Sequence, residues 1–355
     1  MLSIAVVGCG YWGPNLVRNL NSLNACEKVI CCDTDPDRLV SIQALYPNVE
    51  LATEIEQILA NDEIQAVVVA TPIATHYELA RRSLLAGKHV LVEKPLAMSS
   101  AECEELTRIA RQVNRVLMVG HTFEYSVAIH KAKEIIDSGE LGQVLYFNFS
   151  RLNLGPYRPD VNVVWDLAAH DVSILLYLLR VEPSGVCGHG QDFLQPGIED
   201  VATAFLYFDN GTVALMNHSW LDPYKVRRMT VVGTRKMLVY DDVSQLEKIK
   251  IFDKGIDAPV EHDTFGEFHF AYRYGDIHSP RIEEEEPLKL ECQEFIRSIL
   301  NGSAPRSDGE SGTRVVRVLE AMTESMRRRG TYVAINGDRG PHPVSVASGG
   351  PGQAD

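Results

Sequence analysis

The sequence predicts an α/β fold followed by an α+β fold in one chain of 355 residues. Two observations carry this prediction. Through about residue 120, short apolar runs alternate with helical patterns, which indicates crossover connections and a parallel sheet. After that point strand patterns dominate, and hairpin-like turns join several of them, which indicates a large, mostly antiparallel sheet. We therefore expect one domain over residues 1–122, a second over 123–335, and a disordered tail, rich in Gly, Pro and Ser, over 336–355.

The first domain reads as strands that alternate with helices. Five short β-branched or apolar runs are typical of buried strands. They are Ile4–Val7, Val29–Cys32, Ala66–Ala70, His89–Val92 and Val116–Val119. The helical patterns between them are Asn15–Leu23, Pro36–Leu45, Ile55–Ala60, His76–Ala86 and Ser100–Asn114. In an open parallel sheet of this kind, the carboxyl ends of the strands form the ligand crevice.

The second domain begins with a predicted helix, Ser126–Ser138, and continues mainly as strands. The strand patterns are Gln143–Arg151, Ser184–Gln191, Val201–Phe208, Thr212–Trp220, Lys225–Val232, Lys236–Tyr240 and Gln245–Phe252. A helix over Asp166–Leu179 interrupts them. Two further helices, Leu288–Leu300 and Ser311–Arg329, are expected to pack back on the body.

The composition argues against several classes of protein. A formal net charge of -14 does not suit a nucleic-acid partner, because such proteins usually carry a basic face. Seven cysteines, an odd number without a Cys-x-x-Cys pair, indicate a reducing compartment without structural disulfides. No stretch approaches the roughly 18 to 20 apolar residues that a membrane span needs, and the N-terminus lacks signal-peptide features. With no clustered metal ligands either, we expect a cytoplasmic protein without nucleic acid, membrane or metal.

A glycine motif lies between the first predicted strand and the first predicted helix. Gly8, Gly10 and Gly13 match the pattern G-x-G-x-x-G in that context. Gly8 makes the tight turn, Gly10 lets the backbone approach a pyrophosphate, and Gly13 lets the helix pack close to the strand. The helix N-terminus then meets the diphosphate. We assign the intervening Tyr11 and Trp12 to the same site, which is a dinucleotide site of the Rossmann type.

Asp33 ends the second predicted strand, 20 residues after Gly13. A carboxylate there accepts hydrogen bonds from the adenine-ribose hydroxyls and repels a 2′-phosphate, which favours NAD over NADP as the cofactor. Thr71 and Pro72 end the next predicted strand, and His76 starts the helix that follows. This segment also lies at the edge of the crevice. Two interpretations remain open: the segment contacts the cofactor, or it is an ordinary loop.

Two further motifs carry chemistry. Glu93-Lys94-Pro95 follows the strand His89–Val92, so that a lysine at a strand's carboxyl end faces the crevice where nicotinamide is expected. The proline fixes the turn. The segment Trp165-Asp166-Leu167-Ala168-Ala169-His170-Asp171 stands early in the second domain.

Together with the glycine motif, these segments resemble the Gfo/Idh/MocA family, the relatives of glucose–fructose oxidoreductase and inositol dehydrogenase. Their order and spacing agree with the family over about residues 1–330. The resemblance implies an NAD-dependent oxidoreductase with a Rossmann domain and a second domain that binds the substrate. Family members often use the large open sheet to form dimers and tetramers, so the resemblance also implies a homodimer or homotetramer.

Asp166 and His170 lie four residues apart, so that a helix places them on one face. The resemblance implies that His170 is the acid/base for the hydroxyl proton. It also implies that Lys94 orients the hydroxyl and stabilises charge on its oxygen, while Asp166 orients the substrate and tunes the histidine. These three residues would be both catalytic and substrate-binding. Glu93 and Lys94 are also assigned to the cofactor site, and Asp171 is expected to help structurally.

Further contacts are expected around these motifs. His121 and Tyr125 lie in a loop that family members use at the boundary between cofactor and substrate. Many members carry an arginine or asparagine there, and this chain does not. We assign His121 to the cofactor and Tyr125 to the substrate. Four residues that precede the catalytic helix are expected to line a polyol pocket, with donors and one aromatic face: Arg151, Asn153, Tyr157 and Arg158. The first three are assigned to the substrate.

The expected reaction moves a hydride between NAD and a secondary hydroxyl or ketone of a small sugar or polyol. A sugar or nucleotide-sugar dehydrogenase, with C3 as the favoured carbon, is the leading hypothesis. The alternatives are an inositol dehydrogenase, a keto-sugar reductase in biosynthesis, and a non-catalytic NAD-binding regulator. Three cations within residues 225–228 would suit a sugar phosphate or a nucleotide diphosphate, although protection of a sheet edge is the favoured interpretation.

Overall fold

The computed structural model describes residues 1–257 and 271–335. The expected tail at 336–355 lies outside the described residues. Two sheets organise the chain, one parallel and one mostly antiparallel, which confirms the fold class that the sequence predicts. None of the helices within the described residues is long and apolar enough to cross a membrane.

The parallel sheet has six strands in the order β3-β2-β1-β4-β5-β6. Its strands are β1 (Leu2–Val7), β2 (Cys26–Cys32), β3 (Glu50–Ala52), β4 (Ala66–Val69), β5 (His89–Glu93) and β6 (Leu117–Gly120). The helices between them are α1 (Gly13–Asn21), α2 (Pro36–Leu45), α3 (Ile55–Leu59), α4 (His76–Leu85) and α5 (Ser100–Gln112). The sequence pattern missed β3, because three residues at a sheet edge are too few to show a period.

The second sheet has nine strands within the described residues, in the order β14-β13-β12-β11-β7-β10-β9-β8-β15. They are β7 (Val144–Leu154), β8 (Gly185–Gln191), β9 (Val201–Tyr207), β10 (Val213–Ser219), β11 (Leu221–Gly233), β12 (Met237–Asp241), β13 (Ile249–Asp257), β14 (Ala271–His278) and β15 (Val333–Ala334). The central strand β7 is parallel to β10 and antiparallel to β11. The accompanying helices are α6 (Val127–Asp137), α7 (Ala169–Leu179), α8 (Pro287–Asn301) and α9 (Gly309–Arg327).

The second half differs from the sequence prediction in several places. Strand β11 begins at Leu221, so that the cations at 225–228 lie within a strand and not after one. Strands β14 and β15 were not predicted. Asp166 lies in a wide π-helical turn, Val164–Ala168, ahead of α7, although the sequence predicts an α-helix from that residue. Such wide turns inside helices are frequent at functional sites.

Residues 4–7 of β1 form a continuous apolar run because each face of the strand packs into a hydrophobic core. Ala5 and Val7 point into one hydrophobic core, which continues between the parallel sheet and the large sheet. Ile4 and Val6 point into the other core, which lies under α1 and α2. Helix α8 also packs into this second core through Phe295. Because both faces of residues 4–7 are covered, both faces carry apolar side chains there.

Candidate active site

The glycine loop joins β1 to α1 and has little room at two of its three glycines. Gly8 has φ +95°, and a Cβ there would lie 2.6 Å from the carbonyl oxygen of Ala70. A Cβ on Gly13 would collide with the carbonyl oxygen of Gly8. At Gly10 a Cβ would meet only the Arg38 guanidinium, at 3.6 Å. The first and third glycines are therefore required by the fold, whereas the second leaves the backbone open to a ligand.

The neighbouring carboxylate holds this loop. Asp33 is 6% exposed; its Oδ2 accepts a hydrogen bond from the Cys9 backbone N–H at 2.7 Å, and its Oδ1 accepts one from the Asp35 N–H at 2.9 Å. Arg38 lies 3.5 Å from Oδ2. Tyr11 is 93% exposed, so the loop is open to solvent. A free loop backbone, a helix N-terminus and a carboxylate at the end of β2 together fit a dinucleotide.

His76 connects two loops at the crevice edge. Its side chain is 2% exposed, with Nδ1 2.8 Å from the carbonyl oxygen of Pro95 and Nε2 2.8 Å from that of Thr71. Burial lowers the pKa of His76, although these two hydrogen bonds act in the opposite direction. Both ring nitrogens are therefore occupied by the protein. His76 therefore joins two loops. One contains Thr71 and Pro72, and the other follows Lys94.

Lys94 and Asp166 meet across 72 positions of sequence. The Lys94 Nζ donates to the backbone oxygen of Asp166 at 2.7 Å and lies 3.4 Å from its Oδ1. The carboxylate also accepts from the indole N–H of Trp220 at 3.1 Å and lies 3.5 Å from Arg158. Burial raises the pKa of Asp166, but the charges of Lys94 and Arg158 outweigh it, and the net pKa is below the ordinary value. Asp166 is therefore an ionised group that holds the lysine.

His170 lies beside this pair as a neutral imidazole. Its ring packs edge-on against Phe123, with 5.1 Å between the ring centroids. Within the described residues its Nδ1 is buried and has no hydrogen-bond partner. Burial lowers the pKa of His170 well below the ordinary value, and the charge of Lys94 lowers it further. The contacts of Asp166 in the described part of the chain go to other residues, so the structure gives no hydrogen bond by which Asp166 would tune His170.

Burial also changes the groups around Lys94. Burial lowers the pKa of Lys94, and the carboxylates of Asp166 and Glu93 offset this only in part. Glu93 accepts a hydrogen bond from the Lys94 backbone N–H at 3.3 Å, and burial raises the pKa of Glu93 to about 7. His121 is 0% exposed, and burial lowers its pKa to about 3. Its ring nitrogens have no hydrogen-bond partner within the described residues.

The structure does not bring two of the expected substrate residues to the cleft surface. Tyr125 is 2% exposed, and its hydroxyl is 2.8 Å from the Ser307 hydroxyl in the segment before α9. Arg151 is 4% exposed and donates through Nε and Nη2 to Oδ1 of Asp171, at 3.0 and 2.6 Å. Both side chains are therefore used inside the protein, and direct contact with a substrate is not supported for either.

The remaining expected contacts lie nearer the surface. Tyr157 packs edge-on against Trp220 at 5.6 Å and donates its hydroxyl hydrogen to Gln195 at 3.1 Å. Asn153 is partly buried in β7. The sequence reasoning missed Trp220, which holds Asp166, and Phe123, which packs on His170. Both contacts cross long stretches of sequence, and nothing in the local pattern of either residue signals them.

Two family models match well over half of the chain. Residues 2–121 match the Gfo/Idh/MocA model described as an oxidoreductase family with an NAD-binding Rossmann fold. Residues 129–239 match the Gfo/Idh/MocA C-terminal domain. The first match contains the glycine loop and Lys94, and the second contains Asp166 and His170. The NAD cofactor that the sequence predicts is thereby confirmed at the level of the family.

Individual relatives extend over most of the chain. The UDP-N-acetylglucosamine 3-dehydrogenase of Acidithiobacillus ferrooxidans is 32% identical over 318 residues, or 88% of this chain and 93% of that enzyme. The scyllo-inositol 2-dehydrogenase (NAD(+)) of Bacillus subtilis is 26% identical over 335 residues, or 91% and 93%. Some alignments are shorter and cover 58% and 43% of the relative.

A solved structure agrees on the fold. Levoglucosan dehydrogenase, in complex with NADH and levoglucosan, superimposes with a TM-score of 0.79 at 19% identity, over 95% of this chain and 100% of that chain. At this identity the likeness concerns the fold alone. The two model matches, with the relative that is 32% identical over 88% of this chain, show that this chain is a member of the Gfo/Idh/MocA family of NAD-dependent oxidoreductases.

Proposed function

We propose that this protein oxidises a secondary hydroxyl of a sugar or nucleotide sugar with NAD, and reduces the corresponding ketone in the opposite direction. The observation that carries the proposal is the contact between Lys94 and Asp166 beside a buried, neutral His170. This group lies at the carboxyl end of β5 in an NAD-binding sheet. Crevices at this edge of an open parallel sheet are where ligands bind.

The three side chains divide the chemistry between them. NAD, when bound, accepts the hydride that leaves the hydroxyl-bearing carbon. The imidazole of His170 accepts the hydroxyl proton, for which it must be neutral, and burial keeps it so. The ammonium of Lys94 donates a hydrogen bond to the substrate oxygen and stabilises the negative charge that develops on it. Asp166 holds Lys94 in place, and Trp220 in turn holds Asp166.

The cofactor would be held by the first half of the cleft. The open backbone at Gly10 and the N-terminus of α1 would take the diphosphate. Asp33, at the end of β2, would accept from the ribose hydroxyls and disfavour a 2′-phosphate. Glu93, Thr71 and Pro72 lie on neighbouring strand ends or loops and stay assigned to the cofactor.

A nucleotide sugar oxidised at C3 is the leading substrate. The relative that acts as a UDP-N-acetylglucosamine 3-dehydrogenase aligns over 88% of this chain, which supports this choice. A cyclitol is the second candidate, because the scyllo-inositol 2-dehydrogenase aligns over 91%. Both substrates present a ring hydroxyl whose hydride and proton leave from adjacent atoms, so the same three side chains serve either one.

We also propose that the protein is a homodimer or homotetramer. Tyr146 and Phe205 are 38% and 45% exposed on the face of the large sheet opposite to the core residue Phe147. Strand register places Val213 beside Tyr146 and Leu215 beside Phe205, so that these side chains form one apolar surface. An apolar sheet face of this kind is typical of a protein–protein interface.

The test is the appearance of absorbance at the NADH band when protein and NAD are mixed with single sugars. The panel is UDP-N-acetylglucosamine, UDP-glucose, glucose, scyllo-inositol and myo-inositol, run with NAD and separately with NADP. We expect turnover of at least one substrate with NAD, a drop of at least ~100-fold in His170→Ala, and little change in its NAD affinity. His189→Ala is the matched control, because His189 is exposed in β8.

Binding of NAD without turnover of any substrate would favour the non-catalytic regulator. Near-normal turnover in His170→Ala would remove its role as the acid/base. Equal use of NADP would count against the role assigned to Asp33.

A further inference from the structure

The residue that follows His170, Asp171, forms a buried ion pair with Arg151. Asp171 and Arg151 are 3% and 4% exposed, and both guanidinium contacts go to Oδ1 of the aspartate. The second carboxylate oxygen, Oδ2, is 3.0 Å from Nε2 of His218, which is 0% exposed. Burial raises the pKa of Asp171, but Arg151 and His218 outweigh it and the net pKa is lowered. The pair is therefore charged and fully enclosed.

This ion pair reaches His170 through an aromatic ring. The guanidinium carbon of Arg151 lies 4.6 Å from the centroid of the Phe123 ring. The His170 ring meets the same phenyl ring at 5.1 Å and 73°, edge to face. Arginine over an aromatic face is a favourable cation–π arrangement. Strand β7, the turn Thr122–Tyr125 and helix α7 are thus joined at one phenyl ring.

His170 lacks the usual means of orientation. A catalytic histidine is commonly held by a hydrogen bond from one ring nitrogen to a carboxylate or carbonyl. Here Nδ1 is buried without such a partner within the described residues. The ring contact with Phe123 is therefore the specific side-chain interaction that the described structure offers to fix the imidazole.

We propose that Arg151, anchored by Asp171, is a positioning residue that holds Phe123 against His170 and keeps a positive charge beside the imidazole. The proposal rests on the proposed function, because it assigns His170 the acid/base role. It also replaces the direct substrate contact that the sequence suggests for Arg151. The charged and titratable groups with the largest effects on His170 are Lys94, Arg151, Arg227 and His121, and all four lower its pKa.

The arginine's two contributions can be separated by choice of variant. Arg151→Lys keeps the charge but loses the planar stack on the ring. Arg151→Met loses both and leaves the Asp171 carboxylate with His218 alone. Because a positive charge beside the imidazole is removed, the pKa of His170 should rise. The double variant Arg151→Met/Asp171→Asn removes the ion pair without leaving a buried charge, which protects the fold.

The experiment that tests this proposal measures the titration of His170 and needs no substrate. The full chain, labelled with ¹³C-histidine, is titrated by NMR, and the His170 signal is assigned from its loss in His170→Gln. We expect His170 to titrate at a higher pH in Arg151→Met than in the unsubstituted protein, and Arg151→Lys to stay close to the latter. Arg297→Met, an exposed arginine on α8, should leave the titration unchanged.

Turnover with UDP-N-acetylglucosamine or scyllo-inositol supplies the second readout. In Arg151→Lys and the double variant we expect kcat to fall at least ~10-fold, with KM for the hydride donor changed less than ~3-fold. An unchanged His170 titration in a folded Arg151→Met protein that still binds NADH would overturn the proposal. If no sugar is oxidised even by the unsubstituted protein, the proposed function fails, but the NMR comparison still decides whether Arg151 sets the charge at His170.

Discussion

The two sides of the cleft are built in different ways. The cofactor side is one contiguous loop, residues 8–13, together with strand ends, and its fit depends on backbone space at glycines. The other side is a set of charged side chains from distant positions, such as Lys94 with Asp166 and Asp171 with His218. A site made of backbone is specified by neighbouring residues in the sequence. A site made of buried charges is specified only once the chain has folded.

The difference extends to electrostatics. On the cofactor side the loop is exposed, as Tyr11 shows. On the other side burial lowers the pKa of Lys94 and of His170, and for Asp166 the charges of its partners outweigh the effect of burial, so that its net pKa is lowered. Removing one member of such a group leaves its partner charged and desolvated. We therefore expect single substitutions to be far more damaging on this side of the cleft.

The largest effect is expected for Lys94→Ala. Turnover should fall at least ~100-fold, because the ammonium that stabilises the substrate oxygen and pairs with Asp166 is lost. NADH binding, followed by fluorescence, should change much less. The control is Lys131→Ala, because Lys131 is a half-exposed lysine paired with Glu134. Near-normal turnover in Lys94→Ala would show that the two sides do not differ as described.

On the cofactor side, Gly10→Ala and Gly13→Ala should separate binding from folding. Gly10→Ala has room in the protein, so its melting temperature should be kept while the Kd for NADH rises at least ~10-fold, because the methyl group blocks the diphosphate. Gly13→Ala collides with the Gly8 carbonyl and should lose thermal stability. Calorimetry and NADH titration test the pair. Unchanged NADH affinity in Gly10→Ala would move the diphosphate away from this loop.

The smallest effect is expected for Glu124, whose buried carboxyl group lowers the stability of the folded protein when it is charged. Glu124 is 2% exposed, with one carboxyl oxygen unpartnered in the described structure, and burial raises its pKa to about 8. Its ordinary pKa is about 4.3. The neutral carboxyl thus favours the folded state fully below about pH 4.3, and this contribution is lost as the pH rises toward 8.

Glu124→Gln removes that dependence. Compared with the unsubstituted protein, its melting temperature should be about 2 °C or more higher at pH 8, with a smaller difference at pH 5. Thermal unfolding at pH 5, 6.5 and 8 measures this, with the exposed Glu134→Gln as control. A difference between the two proteins that is the same at all three pH values would contradict the raised pKa.

Most secondary-structure elements could be predicted because each has a hydrophobic pattern that is typical of a strand or a helix. The strands β1, β4 and β5 are apolar runs, and the helices between them are amphipathic, so the alternation alone gives the parallel sheet. Strand β3 has only three residues, and the π-helical turn at Val164–Ala168 follows no pattern that differs from an α-helix. Local sequence does not contain enough information for either.

The site was predictable in its motifs but not in its partners. The glycine loop and Lys94 could be placed from strand ends, and the His170 motif from the resemblance to the family. Tyr125 was assigned to a ligand from a loop that family members use, Arg151 from its place before the catalytic helix, and His76 from its place at the crevice edge. Each instead bonds to a residue or backbone group that the fold supplies. Burial and long-range pairing are properties of the tertiary structure, and residue type alone does not reveal them.

The C-terminal part of the chain returns to the parallel sheet, and this affects how a truncated protein would behave. Ser307 accepts a hydrogen bond from the backbone N–H of Val119, at 2.7 Å, and Asp308 bridges to Met118, so a segment from the far end of the chain covers the outer strand β6. A fragment cut after residue 122 would leave the amide groups of that strand bare. Bare strands of this kind recruit strands from other molecules, so the nucleotide-binding half on its own would be prone to self-association even if every residue of its cofactor loop were intact.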